Sequence, residues 1–181
     1  RDYYRYFNDN LHLTKQLLKI PHKKFIYVSS IDVYRNEESN YKLMKLMAES
    51  IVANESKNYL IARCSAMLGQ GMRANTLTRI RDRSLTNTGL SSNSTFNYIT
   101  YRDICQFFTN SIRDNLTGVY NVVASDNISL KQVSEYFNYY PEFGDFTYST
   151  PTIYNNIPDH ISEMGKTTSL ENIKRFIEDN D

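Results

Sequence analysis

The sequence has little of what several specialised protein classes depend on. Its 181 residues include two cysteines, four prolines, six glycines and no tryptophan. Two cysteines, Cys64 and Cys105, cannot build a disulfide framework or a four-cysteine metal site. We therefore expect two free, buried thiols in a reducing environment, which indicates a cytoplasmic protein. No apolar run approaches the roughly 18 residues that a membrane-spanning helix needs.

An excess of charge of either sign is also missing. Lys and Arg total 21, Asp and Glu total 20, and the formal net charge is +1. Binding to nucleic acid or to an anionic membrane surface usually needs a basic surplus, so we expect neither partner. The three histidines lack the spacing of metal ligands, and we predict no metal site. Hydrophobic residues make up 40% of the chain, which is enough to bury a core and excludes a mostly disordered chain.

Short apolar runs alternate along the chain with segments of helical periodicity. Strands are predicted near 25–28, 58–63, 96–100 and 118–123, and helices near 3–20, 41–57, 76–85, 100–114, from 129 onward and 168–178. This alternation favours an α/β fold with a parallel sheet. Capping-box spacing at Thr100–Asp103, Ser129–Gln132 and Thr168–Glu171 predicts three helix starts, so Asp103 is interpreted as a structural cap.

Three polar side chains gather near the end of the first predicted strand. Ser29 and Ser30 end that strand, where open α/β sheets bind their ligands. Tyr41 follows shortly after, and Lys45 lies one helical turn further on the same face. A nearby ammonium lowers the pKa of a tyrosine, and a serine hydroxyl can bond to a reacting oxygen. With a nicotinamide cofactor, this group could oxidise an alcohol or reduce a ketone. A Tyr–Lys pair on the surface is the alternative interpretation.

With these residues in this order, the chain resembles the extended short-chain dehydrogenase/reductase family, which includes nucleotide-sugar epimerases, dehydratases and reductases. The similar segments, in order, are FIYVSSIDVY (25–34), YKLMKLMAE (41–49), LIARCSAMLGQGMR (60–73), FNYITYRDI (96–104) and GVYNVVASDNISLKQV (118–133). The resemblance implies the C-terminal portion of a Rossmann-like parallel sheet with helices on both faces, plus a small substrate-binding lobe. Residues 1–72 would be the remainder of the dinucleotide-binding domain. Residues 73–181 would form mainly the substrate lobe, with 96–123 returning to the core.

The resemblance also implies roles for individual residues. Tyr41 would be the acid/base, Ser30 the partner of the reacting oxygen, Lys45 the group that tunes Tyr41, and Asn10 the end of a proton relay. Residues expected to bind the cofactor, NAD or NADP, are Tyr41, Lys45, Ser29, Cys64 and Ser65. Residues expected to contact the substrate, a nucleotide-linked sugar, are Asp32, Arg73 and Asn97.

Several departures from the family pattern keep alternatives open. The sequence has no Gly-x-x-Gly-x-x-Gly turn to hold a pyrophosphate. We therefore expect about 90 residues with that turn to precede Arg1, and these 181 residues alone to be inactive. Asp32 matches an acid of the sugar dehydratases, but Ile31 stands where those enzymes have a second acid. In this family an arginine that binds a substrate phosphate often stands where this chain has Phe96. Arg73 or Arg79 could take over that role.

Two functions remain at this stage. The first is an NAD(P)-dependent epimerase, dehydratase or reductase of a nucleotide-linked sugar, with a homodimer left open. The second is a catalytically silent relative that acts as a binding or scaffold module, which the absent glycine-rich turn would allow.

Overall fold

The computed structural model describes residues 3–179. Its strands are β1 (Phe25–Ser30), β2 (Tyr59–Cys64), β3 (Ala66–Leu68), β4 (Asn87–Leu90), β5 (Thr95–Phe96), β6 (Tyr98–Thr100), β7 (Gly118–Val122), β8 (Ile128–Ser129) and β9 (Glu142–Phe146). Its α-helices are α1 (Tyr3–Phe7), α2 (Leu13–Leu18), α3 (Asn40–Glu55), α4 (Thr76–Arg81), α5 (Tyr101–Arg113), α6 (Leu130–Phe137) and α7 (Ser169–Glu178). The predicted α/β class is confirmed.

The main sheet has three parallel strands in the order β1-β2-β7. This confirms the prediction that these segments share one parallel sheet. The register aligns Ser30 with Cys64 and Cys64 with Val122. The carboxyl ends of all three strands therefore lie at one edge of the sheet, which is where this class of sheet binds ligands.

Helices cover both faces of this sheet, as predicted. On β2, Leu60, Ala62 and Cys64 share a core with Phe107 of α5. The alternate residue Ile61 packs with helices α2 and α3 through Leu18 and Val52. Because successive side chains of a strand point to opposite faces, β2 is buried on both sides. This explains its nearly continuous apolar sequence.

A second core lies beside the main sheet. It is built by β3, β6, β8 and the helices α4, α6 and α7, with the buried residues Leu68, Leu77, Ile80, Leu85, Tyr98, Ile128, Leu130, Val133, Ile173 and Phe176. Strand β3 continues the path of β2 and pairs in parallel with β6. The predicted strand 96–100 is divided at Asn97, because β5 pairs instead with β8.

The predicted helix starts are confirmed. Thr100 accepts a hydrogen bond from the backbone N–H of Asp103 at 3.1 Å, and Asp103 accepts one from the Thr100 hydroxyl at 2.7 Å. Reciprocal capping boxes open α6 at Ser129 and α7 at Thr168.

Three details differ from the sequence predictions. The helix predicted over 3–20 contains a π-helical turn over Asn8–His12, between α1 and α2. Helix α4 ends at Arg81, four residues short of the prediction, because Asp82 and the left-handed Arg83 turn the chain. Cys105 is exposed rather than buried, whereas Cys64 is buried as expected. Among residues 3–179, no helix is long and apolar enough to cross a membrane.

Candidate active site

A cavity of about 290 Å³ opens at the carboxyl edge of the main sheet. Its walls include Ser30, Asp32, Tyr41, Ser65 and Tyr148. Ser30 is the last residue of β1, Ser65 directly follows β2, and Tyr41 comes from the first turn of α3. The fold therefore brings the predicted Ser30 and Tyr41 into one cavity. Tyr148 is an additional wall residue that the sequence analysis did not find.

Ser30 and Tyr41 both border the cavity, and the Ser30 hydroxyl is close enough to the Tyr41 phenol to influence its pKa. Ser30 is the last residue of β1 and is 9% exposed. Its hydroxyl oxygen also accepts the backbone N–H of Asp32 at 3.2 Å, which caps a short 3-10 turn. The Ser39 side chain caps α3 at the Lys42 N–H, 3.1 Å away, and so fixes the start of the helix that carries Tyr41.

The pKa of Tyr41 is raised above its ordinary value. Burial is the main cause, because it disfavours the charged phenolate. The Ser30 hydroxyl lowers the pKa of Tyr41, whereas the Asp32 carboxylate raises it further. The expected net depression by Lys45 is therefore not found. In this structure Tyr41 holds its proton at neutral pH and is set up as an acid.

Lys45 lies one turn after Tyr41, with its ammonium 5.8 Å from the centre of the Tyr41 ring and 5.1 Å from that of Tyr27. It donates a hydrogen bond to the carbonyl oxygen of Val28 at 3.0 Å. Burial lowers the pKa of Lys45, and the nearby Cys64 and Glu49 oppose this shift. The ammonium is thus held against β1 rather than on the phenol oxygen, which explains why it does not set the pKa of Tyr41.

Glu49 continues the helix face of Tyr41 and Lys45 by one further turn. Its carboxylate accepts hydrogen bonds from Nη2 of Arg63 at 2.6 Å and from the Ser29 hydroxyl at 2.5 Å. These contacts join α3 to the ends of β1 and β2. The hydroxyl of Ser29, expected at the cofactor, is therefore directed to Glu49, although Ser29 also borders the cavity.

Cys64 and Ser65 form part of the cavity wall at the end of β2. Burial raises the pKa of the Cys64 thiol to about 12, so it is a neutral side chain. The Ser65 hydroxyl is buried and, within residues 3–179, has no hydrogen-bond partner. A buried hydroxyl without a partner is costly, and a bound polar group would relieve that cost. Ser65 thus fits its expected position against a ligand.

Asp32 and Tyr148 meet at another part of the wall. The Tyr148 hydroxyl donates a hydrogen bond to Oδ1 of Asp32 at 2.8 Å. The Tyr148 ring is stacked on Phe96, with centroids 5.0 Å apart, and the Arg35 guanidinium lies 4.3 Å from its centre. Burial, aided by the bond to Asp32, raises the pKa of Tyr148 to about 12. Phe96, which stands where a phosphate-binding arginine was expected, is here a packing platform.

The remaining predicted residues have different positions. Asn97 borders the cavity, but its amide donates to the carbonyls of Ala124 and Asp126 and accepts the Ala124 N–H at 2.9 Å. Asn97 therefore fixes the loop after β7. Arg73 is exposed on the loop between β3 and α4 and is outside the cavity wall.

Asn10 lies in the π-helical turn, half-buried, and its backbone carbonyl accepts the Thr14 hydroxyl at 2.6 Å. It is not part of the cavity wall. The structure thus brings Ser30, Tyr41 and Asp32 to one cavity wall, with Lys45 one helical turn from Tyr41, whereas Asn10 and Arg73 are not part of that wall.

Another cavity, of about 330 Å³, lies where the loop after β7 meets the segment 153–166. Its charged groups are paired with one another, since Lys166 pairs with Asp159 at 3.2 Å and with Glu163 at 3.1 Å. It contains no tyrosine–lysine pair of the kind described above, so the site at the carboxyl edge of the main sheet is the better candidate.

Comparison with protein-family models gives no match for this chain, and comparison with the sequences of characterised proteins gives none either. Solved structures do match. UDP-glucuronic acid 4-epimerase from Bacillus cereus, solved with UDP-glucuronic acid and NAD, is 18% identical, with a TM-score of 0.70 over 99% of this chain and 70% of that one.

Two further solved structures have a similar fold. The dTDP-4-dehydrorhamnose reductase from Yersinia enterocolitica is 19% identical, with a TM-score of 0.72 over 97% of this chain and 76% of that one. ADP-L-glycero-D-manno-heptose-6-epimerase from Helicobacter pylori is 16% identical, with a TM-score of 0.73 over 99% of this chain and 68% of that one. The resemblance to the nucleotide-sugar epimerases and reductases of the extended short-chain dehydrogenase/reductase type is thus confirmed at the level of the fold.

Proposed function

We propose that this chain forms the catalytic part of an NAD(P)-dependent enzyme that acts as an epimerase, dehydratase or reductase on a nucleotide-linked sugar. The observation that carries the proposal is that Ser30 and Tyr41 line one cavity at the carboxyl edge of a parallel sheet, with Lys45 one turn away. The solved structures with the same fold include an epimerase bound to NAD and a sugar nucleotide, which supports the substrate class.

The proton chemistry is assigned to the hydroxyl of Tyr41. Burial keeps that hydroxyl protonated, so it can donate a proton to a ketone oxygen of the substrate, and it would recover the proton when an alcohol is oxidised. The Ser30 hydroxyl, in the same cavity wall as Tyr41, would hold the same substrate oxygen. Lys45 would bind the cofactor, because its ammonium lies on the same helix face, 5.8 Å from the centre of the Tyr41 ring.

The wall residues fit a nicotinamide nucleotide. The Ser65 hydroxyl, which has no partner among residues 3–179, and the Tyr41 hydroxyl are wall groups of the kind that bind a ribose or a carboxamide, and the Lys45 ammonium lies behind the wall. When bound, the nicotinamide supplies or accepts the hydride. The 181 residues contain no glycine-rich turn for its pyrophosphate.

We also propose the division into two parts that the sequence suggested. Residues 1–72 would serve the cofactor and the proton transfer. Residues 73–181 would mainly bind the sugar nucleotide, while 96–123 returns to the sheet through α5 and β7. The packing of Phe107 on β2 and the pairing of β7 with β2 support this division.

Replacing Tyr41 by Phe in the complete protein tests the proposal. The ring and its packing stay, so stability should change little, whereas turnover should fall by about 10²- to 10⁴-fold, the usual contribution of a positioned acid/base. Turnover is followed through the absorbance of the reduced nicotinamide with a panel of nucleotide sugars. Tyr140→Phe, at a 61% exposed tyrosine, is the matched control. Binding of a nucleotide sugar without turnover by the wild type would favour the binding-module alternative, and a Tyr41→Phe protein at the wild-type rate would refute the catalytic role.

A further inference from the structure

The proton chemistry proposed for Tyr41 does not use the other polar pair in the cavity wall, Asp32 and Tyr148. These residues are 116 positions apart in sequence and are joined by the 2.8 Å hydrogen bond from Tyr148 to Asp32. Both border the cavity that holds Ser30 and Tyr41. A ligand in this cavity would therefore meet the Asp32–Tyr148 pair as well as the Ser30–Tyr41 pair.

Tyr148 is held in place on several sides. Its ring is stacked nearly parallel to that of Phe96, at an interplanar angle of 16°, and the Arg35 guanidinium lies 4.3 Å from the ring centre. Its backbone N–H donates to the Ser94 hydroxyl at 3.0 Å. The pair is thus fixed before any ligand arrives, as a group that determines specificity must be.

The charge of the cavity is set by Asp32. Among the described residues of its wall, Asp32 is the only Asp, Glu, Lys, Arg or His. Arg35, the cation closest to the pair, is outside the wall and binds Glu37 at 3.1 Å. Lys45, behind the wall, is held by the Val28 carbonyl. A ligand carboxylate at this place would meet a like charge with no cation in the wall to offset it.

We propose that Asp32 and Tyr148 determine specificity by accepting a sugar that presents neutral hydroxyl groups and rejecting its counterpart with a carboxylate, a hexuronate. This inference rests on the proposed function. A sugar hydroxyl can donate a hydrogen bond to the Asp32 carboxylate, whereas a sugar carboxylate has no proton to donate and adds repulsion. The repulsion between the Asp32 carboxylate and a ligand carboxylate is strong in a partly buried site, because water screens the two charges poorly there.

Binding measurements on the complete protein test this inference. Isothermal titration calorimetry in the presence of NAD compares UDP-glucose with UDP-glucuronate and GDP-mannose with GDP-mannuronate. We expect the neutral sugar of at least one pair to bind tenfold or more tightly than its uronate. Asp32→Asn keeps the shape and an acceptor for Tyr148 but removes the charge, so it should bring the two affinities to within about threefold.

Two further variants separate charge from packing. Asp114→Asn removes a carboxylate that pairs with Arg113 on the surface at 2.8 Å, and it should keep the wild-type preference. Tyr148→Phe keeps the ring stack on Phe96 and the Asp32 charge, so uronates should still be rejected while neutral sugars bind several-fold more weakly. Both variants are compared with the wild type by thermal unfolding.

The outcomes distinguish this inference from the function on which it rests. Equal binding of hexose and uronate by the wild type, or a preference unchanged in Asp32→Asn, would overturn the role of the pair and leave the enzyme proposal standing. Failure of both members of both pairs to bind would overturn the inference together with the proposed substrate class.

Discussion

Arg63 and Glu49 form a two-pronged ion pair between β2 and α3. Nη2 of Arg63 lies 2.6 Å from one carboxylate oxygen of Glu49, and Nε lies 3.1 and 3.2 Å from the two oxygens. The side chains are 18% and 7% exposed. The pair fixes the helix face that carries Tyr41 and Lys45 against the strand that carries Cys64, so it positions the candidate site without contacting its cavity.

Breaking this pair should destabilise the fold. Glu49→Gln leaves the Arg63 guanidinium without its counter-charge in a largely buried place, and we expect a loss of about 3–5 kcal/mol in the free energy of unfolding. Urea denaturation measures the loss. Glu55→Gln, which breaks the exposed 3.7 Å pair with Lys15, is the control and should cost less than about 1 kcal/mol. Equal costs for the two variants would show that the buried pair does not anchor α3.

Lys45→Met should weaken cofactor binding and leave the pH dependence of turnover nearly unchanged. The Lys45 ammonium lies 5.8 Å from the centre of the Tyr41 ring and is held by the Val28 carbonyl, so its removal should not move the pKa of Tyr41. NAD(P)H fluorescence titration should show weaker binding. The control is Lys42→Met, because Lys42 pairs with Glu38 at 3.0 Å and bonds to the Arg35 carbonyl instead. A pH profile shifted towards higher pH would show that Lys45 does tune Tyr41.

The buried thiol of Cys64 should make the protein sensitive to alkali. Burial raises the pKa of Cys64 from 9.0 to about 12, so the folded state keeps a proton that the unfolded chain releases. The resulting stability is complete below about pH 9 and is lost as pH rises towards about 12, at about 1.4 kcal/mol per pH unit.

Cys64→Ala should therefore flatten the fall of the unfolding free energy above about pH 9, as measured by urea denaturation across that range. Cys105→Ala is the matched control, because Cys105 is exposed and its replacement leaves the buried thiol in place. A slope in Cys64→Ala as steep as in Cys105→Ala would show that other groups cause the alkaline loss.

Gly69 should tolerate no side chain while Tyr101 is present. A Cβ atom at Gly69 would overlap the Tyr101 ring and lie 2.8 Å from Cβ of Tyr101, which is closer than packed atoms allow. We expect Gly69→Ala to cost about 1–3 kcal/mol in unfolding free energy. In a double-mutant cycle, Tyr101→Ala should remove most of that cost. Additive effects of the two substitutions would rule out the steric explanation.

The sequence predicted those parts of the site that are local. Tyr41 and Lys45 are one helical turn apart, and Ser30 ends the adjacent strand, so spacing alone brings them together. The alternation of strands and helices likewise predicted the parallel sheet and the covering of both its faces. The capped helix starts at Thr100, Ser129 and Thr168 could be read from residues three positions apart.

Contacts between distant segments could not be predicted in this way. Tyr148 comes from an irregular loop, and nothing in its sequence context indicates that it meets Asp32. The Arg63–Glu49 pair left a weak signal, an arginine in a buried strand and a glutamate on the face of Lys45, but no spacing rule pairs them. The pKa of Tyr41 depends mainly on burial. The one-turn spacing of Tyr41 and Lys45 in the sequence does not indicate how deeply Tyr41 is buried.

The π-helical turn over Asn8–His12 has a consequence for how this site can change over evolutionary time. Such a turn holds one residue more than a regular helix, so losing a single residue there would restore an unbroken α-helix. Each residue advances a helix by about 100°, and the deletion would rotate the chain before it by that angle relative to α2. A deletion at this turn would thus re-aim Asn10, and it would also shift Leu11, which packs on Met44 and Ala48 of α3.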